Sequence, residues 1–299
     1  MKTLPVLLLL FPFLTVKADM GSIPFAPDAH VFEPNQDALI AWSGDEEVLL
    51  LATQLRASKP TKVLEVMPLP SKPTVTKGEY RSFVLANNLI RWKNGTVTRE
   101  YGSGPFGAAP AAADVPAGRI EEVKRIGAHD LSITQVLDKD GFTAWALDYL
   151  KKHGAKEAVI PKAFATVIGE YLRDGFTWFV FDVVDLGPQQ TPKDVLRFRF
   201  KSDFLYFPLR ITRSERGNTV VKLMILTEGR IEREQFVGWP REKIKMTEHP
   251  VLLSGNEITG IDEHLWHVLR KPTGALLRTW EIVGALDSFD RDLMISRKR

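Results

Sequence analysis

The sequence predicts an α+β protein: a mainly antiparallel sheet with a helical hairpin and one or two further helices packed on one face. Three observations lead there. Two successive stretches, 142–150 and 164–172, carry apolar residues at helical period. The run FTWFVFDVVDL after them is aromatic, β-branched and nearly continuous in apolarity, as suits a strand buried on both faces. Before and after this block, short apolar runs alternate with turn material rich in Gly, Pro, Asn and Asp.

From the start, MKTLPVLLLLFPFLTVKA reads as a secretory signal. Lys2 gives a short positive start, and Leu4 to Val16 is an apolar run too short to span a bilayer. Val16-Lys17-Ala18 is a small-residue cleavage site, so cleavage leaves Asp19 as the first residue; retention as an uncleaved anchor is the alternative. No later stretch is apolar and long enough for a transmembrane helix.

AHVFEP, DALIAWS, EEVLLLATQLRA and KVLEVMPLP follow as strands, with Ser43-Gly44-Asp45 spaced as a hairpin turn. A helix is expected from Glu79 to about Trp92, closed by Asn94-Gly95. Alternatively that dipeptide is the turn of a hairpin between LIRWK and TVTREY. From Gly102 to Gly118, Gly, Ala and Pro dominate and no apolar period survives, which predicts a loop. RIEEVKRIGAHDLSITQVL reads as two strands around Gly127-Ala128.

The two helices come next. Phe142, Trp145, Ala146, Tyr149 and Leu150 form the first stripe, with Lys151 and Lys152 in the last turn and Gly154 to end it. Phe164, Val167, Ile168, Tyr171 and Leu172 form the second, between Pro161 and Gly175. After the aromatic strand, DVLRFRF, FLYFPLRIT, NTVVKLMILT and IEREQFVGW are expected as strands, with Arg216-Gly217-Asn218 as a hairpin turn. A helix from about Asp262 to Arg270 and a last strand, LLRTWEIVGAL, complete the fold, and SFDRDLMISRKR is read as a loosely held tail. The expected organisation is a signal over 1–18, one α+β domain over 19–286 and a tail over 287–299. Two lobes divided by the loop 102–118 are the alternative.

Composition bounds function by exclusion. The chain has 299 residues, 44% hydrophobic and 26% charged, as in ordinary globular proteins. Removing Lys2 and Lys17 with the leader leaves 38 basic against 37 acidic side chains, a balance of +1. Such a chain has no global electrostatic footprint for nucleic acid or anionic lipid, and Arg297-Lys298-Arg299 reads as a solvated terminus. There is no cysteine, so the exported protein must be stabilised by its core without disulfides.

Candidate chemistry is sparse. Gly102-Ser103-Gly104-Pro105-Phe106-Gly107 has the letters of a dinucleotide loop, but Pro105, Pro110 and Pro116 break the helix that would hold a pyrophosphate. No cofactor is expected. His264 and His267, at i and i+3, are the one pair with metal-ligand spacing; Asp262 or Glu263 could add an oxygen, and His249, Asp287 or the amine of Asp19 a further donor. Two histidines beside Trp266 are more often packing or capping residues. Asp182 and Asp185 fall on opposite faces of a strand, and one of Asp138 and Asp140 suits a helix N-cap. No serine sits in a nucleophile elbow. Trp178, Phe179, Phe181, Phe198, Phe200, Phe204, Tyr206 and Phe207 read as core rather than as a carbohydrate or peptide platform.

Four segments together resemble a known family: LEVMPLPSKP, DGFTAWALDYLKKHG, EYLRDGFTWFVFDVVDLG, and RFKSDFLYFPLRITRSERGNTVVKLMILT. The chain is similar, from about Asp19 to Thr227, to domain of unknown function 2330, a family of exported bacterial and archaeal proteins. The resemblance implies no functional site. Some members begin with closely spaced cysteines, which this chain lacks. The functional expectation is an exported, non-catalytic binding module of the cell envelope, periplasmic or extracellular, whose partner is an envelope protein or a polymer ligand. The alternatives are an envelope hydrolase, metal-assisted through His264 and His267, and a structural component pairing through its aromatic strands.

Overall fold

The computed structural model describes residues 21–297 except 27, 33–34, 96–118, 158, 190, 193, 216, 239–242 and 270–273. The expected leader and the loop 102–118 lie outside the described residues. The first part contains β1 (Gly21–Pro24), β2 (Val31–Phe32), β3 (Asn35–Trp42), β4 (Glu46–Ala57), β5 (Thr61–Leu69), β6 (Thr74–Lys77) and α1 (Tyr80–Lys93). The middle contains β7 (Arg119–Ile126), β8 (His129–Gln135), α2 (Lys139–Lys152), α3 (Lys162–Arg173), β9 (Trp178–Leu186), β10 (Thr191–Pro192), β11 (Leu196–Lys201) and β12 (Phe204–Phe207). The last part contains β13 (Asn218–Thr227), β14 (Ile244–Leu253), α4 (Gly255–Ile261), α5 (Glu263–Leu269), β15 (Ala275–Ala285) and β16 (Leu293–Ser296).

The fold is α+β with antiparallel pairing dominant. A five-stranded sheet runs β1-β5-β9-β8-β7, antiparallel throughout. The larger, nine-stranded sheet runs β14-β15-β13-β3-β4-β11-β6, with β2 and β10 paired to β4. Within it β3 and β13 pair in parallel, from Asn35 opposite Val220 to Trp42 opposite Thr227. A parallel pair cannot be closed by a hairpin, and here most of the chain forms the crossover.

Alternation along the strands decides what packs where. On β9, Phe179, Phe181 and Val183 face α2, where Phe142 lies 5.9 Å and Trp145 4.5 Å from the Phe181 ring. The other face of β9, with Val184, meets the large sheet: Val63, Val184 and Leu186 close against Val31, Leu55 and Ala57. Rings as fully buried as Phe179 and Phe181 stabilise the fold by roughly 1.5–3 kcal/mol each.

The large sheet is apolar on both faces, since Ala38 to Ala41 and Val48 to Leu50 are all inaccessible to solvent. One face joins the main core. The other carries α1, α4 and α5 through Phe83, Ile90, Ile258, Leu265 and Leu269, packed on Leu39, Leu50, Leu226 and Leu277. Helices therefore lie on both sides of the sheets, not on one face as expected, because each buried alternate row needs its own cover.

Several local expectations change. The Asn94-Gly95 dipeptide ends α1, with Gly95 at φ 74°, so LIRWK is helical and the hairpin alternative does not occur. In FLYFPLRIT the strand stops at Phe207 and Arg210–Ser214 form a 3₁₀ turn. IEREQFVGW yields a 3₁₀ turn, Arg233–Gln235, and one bridge from Phe236 to Ile295. No hairpin forms around Gly217: β12 pairs with β16, and β13 lies between β15 and β3. LLRTWEIVGAL is not the last strand, and the stretch expected as a loose tail contains β16, whose Leu293 and Ile295 are wholly buried. The edge strand β14 had no apolar signal because IKMTEHPVLL is largely exposed and carries Pro250 at an irregular register.

Candidate functional site

The parallel pairing of β3 and β13 brings two chain segments together at their carboxyl ends. On one side, β3 runs into the turn Ser43-Gly44-Asp45, closed by Ser43 N donating to Glu46 O at 3.1 Å and Ser43 Oγ to Asp45 Oδ1 at 2.6 Å. Gly44 has φ 98°, a conformation other residues rarely adopt, and the position of a Cβ there is filled by the Arg297 side chain. On the other side, β13 ends at Thr227 and the chain turns through Glu228-Gly229-Arg230-Ile231 into the 3₁₀ turn. Between them lies a cleft of about 400 Å³ lined by Trp42, Gly44, Gly229, Arg230, Glu232 and Arg297, among others. That volume is in the range of small-ligand sites.

Its walls are held by hydrogen bonds. Gln235 accepts from Glu232 N at 2.7 Å through Oε1 and donates to Ser296 O at 2.8 Å through Nε2, fixing the 3₁₀ turn to β16. Trp42 Nε1 donates to Ser202 O at 3.0 Å. Behind the lining sits Arg278 of β15, 4% exposed. Its guanidinium donates to Thr227 Oγ1 at 2.8 Å, Gly229 O at 2.7 Å and Leu276 O at 3.2 Å, all neutral acceptors. Burial, and then the neighbouring Arg230, bring Arg278 down to about 10, against the opposing influence of Glu232. The cleft thus presents the guanidinium groups of Arg230 and Arg297, the carboxylates of Glu228 and Glu232, and backbone at one surface.

Sequence reasoning missed this place. Its one local signal is Arg278, a charge in the middle of an apolar strand run; the rest is created by pairing segments that are distant in the chain.

Three buried polar nodes lie elsewhere. Asp292, just before β16, accepts from Tyr171 Oη at 2.6 Å and from the backbone N–H groups of Leu209 and Arg210 at 2.9 Å each. Burial pushes its carboxyl up, and Arg210, Tyr171 and the two N–H groups only partly offset this. His129 bonds through Nδ1 to the buried Asp182 carboxylate and through Nε2 to Asp194 O at 3.0 Å. Both ring nitrogens face acceptors, the pattern that an imidazolium satisfies. Glu47, on β4, accepts from Tyr206 N at 2.7 Å through Oε2, while Oε1 has no hydrogen-bond partner among the described residues. Burial pushes this carboxyl well above the usual range.

The histidines singled out by spacing lie on α5. His264 is half-buried, with its Nδ1 3.1 Å from Asp262 Oδ1, and His267 is exposed. The other oxygen of Asp262 binds Arg197 at 2.5 Å. Of the further donors weighed, His249 lies on β14 and Asp287 in the 3₁₀ turn after β15; Asp19 is outside the described residues. Among the described residues no group of three or more His, Asp or Glu is placed to hold a metal ion. Asp182 is buried and Asp185 exposed, on opposite faces of β9. Asp138 caps α2 by accepting from Gly141 N at 3.1 Å. Phe179, Phe181, Phe198, Phe200, Tyr206 and Phe207 are core residues at 2% exposure or less. Among the described residues no helix is long and apolar enough to cross a membrane.

No curated protein matches the chain. Among solved structures, the crystal structure of baculovirus P35 aligns at 11% identity over 93% of this chain and 100% of that one, with a TM-score of 0.45. A chain of the caspase-8/P35 complex aligns at 10% identity over 89% and 97%, with a TM-score of 0.41. Likeness at this level carries nothing about what this chain does. A family model matches residues 15–251, and by that match the chain belongs to the family described as uncharacterized protein conserved in bacteria (DUF2330).

Proposed function

We propose that the chain is an exported, non-catalytic binding module of the cell envelope, with the cleft between the β3–β4 turn and the segment after β13 as its ligand site. The observation that carries this reading is the cleft itself: about 400 Å³, walled by a fixed turn, a capped 3₁₀ turn and Arg297. Export is supported by Lys2, the apolar run to Val16 and the cleavage site at Ala18. The module is read as one domain that includes β16, since Gln235 ties the cleft wall to Ser296. Within it α2 and α3 are read as a helical hairpin over the small sheet, supported by Phe142 stacking on Phe164 at 6.4 Å.

Gly229 provides the test. It lines the cleft, and a Cβ there would meet nothing within 4 Å, so Gly229→Trp adds a large side chain at the cleft wall without forcing the backbone. The protein recovered from its own envelope fraction is weighed by native mass spectrometry. The expected result is a chain beginning at Asp19 that carries a ligand or partner, absent from the folded Gly229→Trp variant. A bound species retained equally by the variant would remove the cleft from the account.

A further inference from the structure

Resting on the cleft as the ligand site, we infer that its ligand presents an oxyanion, carboxylate or phosphate, to Arg230 and Arg297, with the Arg278 guanidinium behind them. A buried cation is normally paired, because desolvating a lone charge is costly. Arg278 is 4% exposed and its hydrogen bonds go to a hydroxyl and two carbonyls. Two of those acceptors, Thr227 and Gly229, are themselves cleft lining, so the charge lies one residue layer from the space. Arg230 is near enough to Arg278 to depress its affinity for a proton, so the two guanidinium groups repel each other across the wall. An anion in the cleft, beside Arg230 and in front of Arg278, relieves both.

The opposing carboxylates, Glu228 and Glu232 of the lining, offset this only in part, since the net effect at Arg278 is still a lowered proton affinity. Glu232 stands at the start of the 3₁₀ turn, where its N–H donates to Gln235 Oε1 and its carbonyl accepts from Gln235 N at 3.2 Å. Asp45 is 3.8 Å from Arg297 with both side chains more than half exposed, a pair that a better-placed anion displaces. Glu228, also in the lining, is exposed to solvent. Trp42 is only 6% exposed, so among the described residues the cleft lining presents no open aromatic platform for a neutral sugar. Planar guanidinium forks match carboxylate and phosphate oxygens two at a time, which is the geometry a polar cleft of this size selects.

Calorimetry on the full mature chain with inorganic phosphate, citrate, trigalacturonate and uncharged maltotriose tests the inference. The expected result is binding of at least one anionic probe, weakening as salt rises, with no binding of maltotriose. Arg230→Ala and Arg297→Gln, both at exposed positions, should each weaken it about tenfold or more, and Gly229→Trp should abolish it. Whether phosphate or the carboxylate probes bind more tightly separates the two sources of the oxyanion. Maltotriose binding that is insensitive to salt but lost in Gly229→Trp would overturn the anion inference and leave the cleft standing. Anion binding unchanged in all three variants would place it elsewhere and overturn the inference. Failure of all probes at millimolar concentration overturns it as well, and the envelope-recovered protein then decides the cleft reading separately.

Discussion

Asp292 joins the C-terminal strand to the rest of the protein, and replacing it measures that junction. In Asp292→Ala three donors lose their acceptor: Tyr171 Oη at 2.6 Å and the N–H groups of Leu209 and Arg210 at 2.9 Å. Tyr171 and Leu209 are wholly buried, so water cannot replace the carboxylate without opening the core. Each orphaned buried donor costs about 1–3 kcal/mol, and neighbours in one network do not add fully, so the expected loss is roughly 3–6 kcal/mol. Arg210 stays paired with Asp174 at 2.5 Å and stays over the Tyr171 ring at 4.0 Å, which limits the damage on that side. Against a total stability of about 5–15 kcal/mol this is a large fraction. Urea unfolding followed by tryptophan fluorescence gives the number. Tyr171→Phe removes one donor and should cost about 1–1.5 kcal/mol, and Asp292→Asn should fall between the two. A loss under about 1 kcal/mol for Asp292→Ala would refute the view that this carboxylate fastens β16.

Other perturbations separate further causes. Glu47 has its proton affinity raised by burial, so the folded state binds a proton more tightly than the unfolded state; its contribution to stability falls as pH rises from the ordinary carboxylate range through the folded-state value. Urea midpoints at pH 5 and pH 8 should therefore drop more for the wild type than for Glu47→Gln, and equal slopes would count against this. His129→Ala leaves the wholly buried Asp182 without its imidazole and should cost about 3–5 kcal/mol, while the double change His129→Leu with Asp182→Leu recovers most of it; a double variant no better than the single would show that packing, not charge, is at stake. Gly274 has φ 83° and a Cβ there would sit 2.0 Å from Leu253 O, whereas Gly175, at φ 85°, has open space around it. Thermal melts should show Gly274→Ala losing clearly more than Gly175→Ala, which pays conformational strain of only about 1–2 kcal/mol.

Local order was legible wherever side-chain period and turn chemistry act over a few residues. The stripes of α2 and α3, the turn at Gly44, the link at Gly127 and the helix end at Gly95 follow from which residues can sit on one face or tolerate positive φ. Elements failed to show where their stability comes from a partner. SFDRDLMISRKR has little apolar content, and β16 within it is a strand because β12 offers it an edge and Asp292 reaches the Leu209 and Arg210 amides. The Gly217 turn has hairpin letters, yet each flanking strand finds a better neighbour far away in sequence.

The cleft belongs to the second kind entirely. The α+β class, the absence of cysteine and the buried aromatic core are set by composition and short-range pattern, which the chain carries in every conformation. That Trp42 stands opposite Thr227, that Arg297 packs into the turn at Gly44, and that Arg278 lies behind both required the crossover pairing of β3 with β13. Such contacts join residues far apart in the chain and arise only when β3, β13 and β15 pair within the large sheet and β16 pairs with β12, so no local period could encode them.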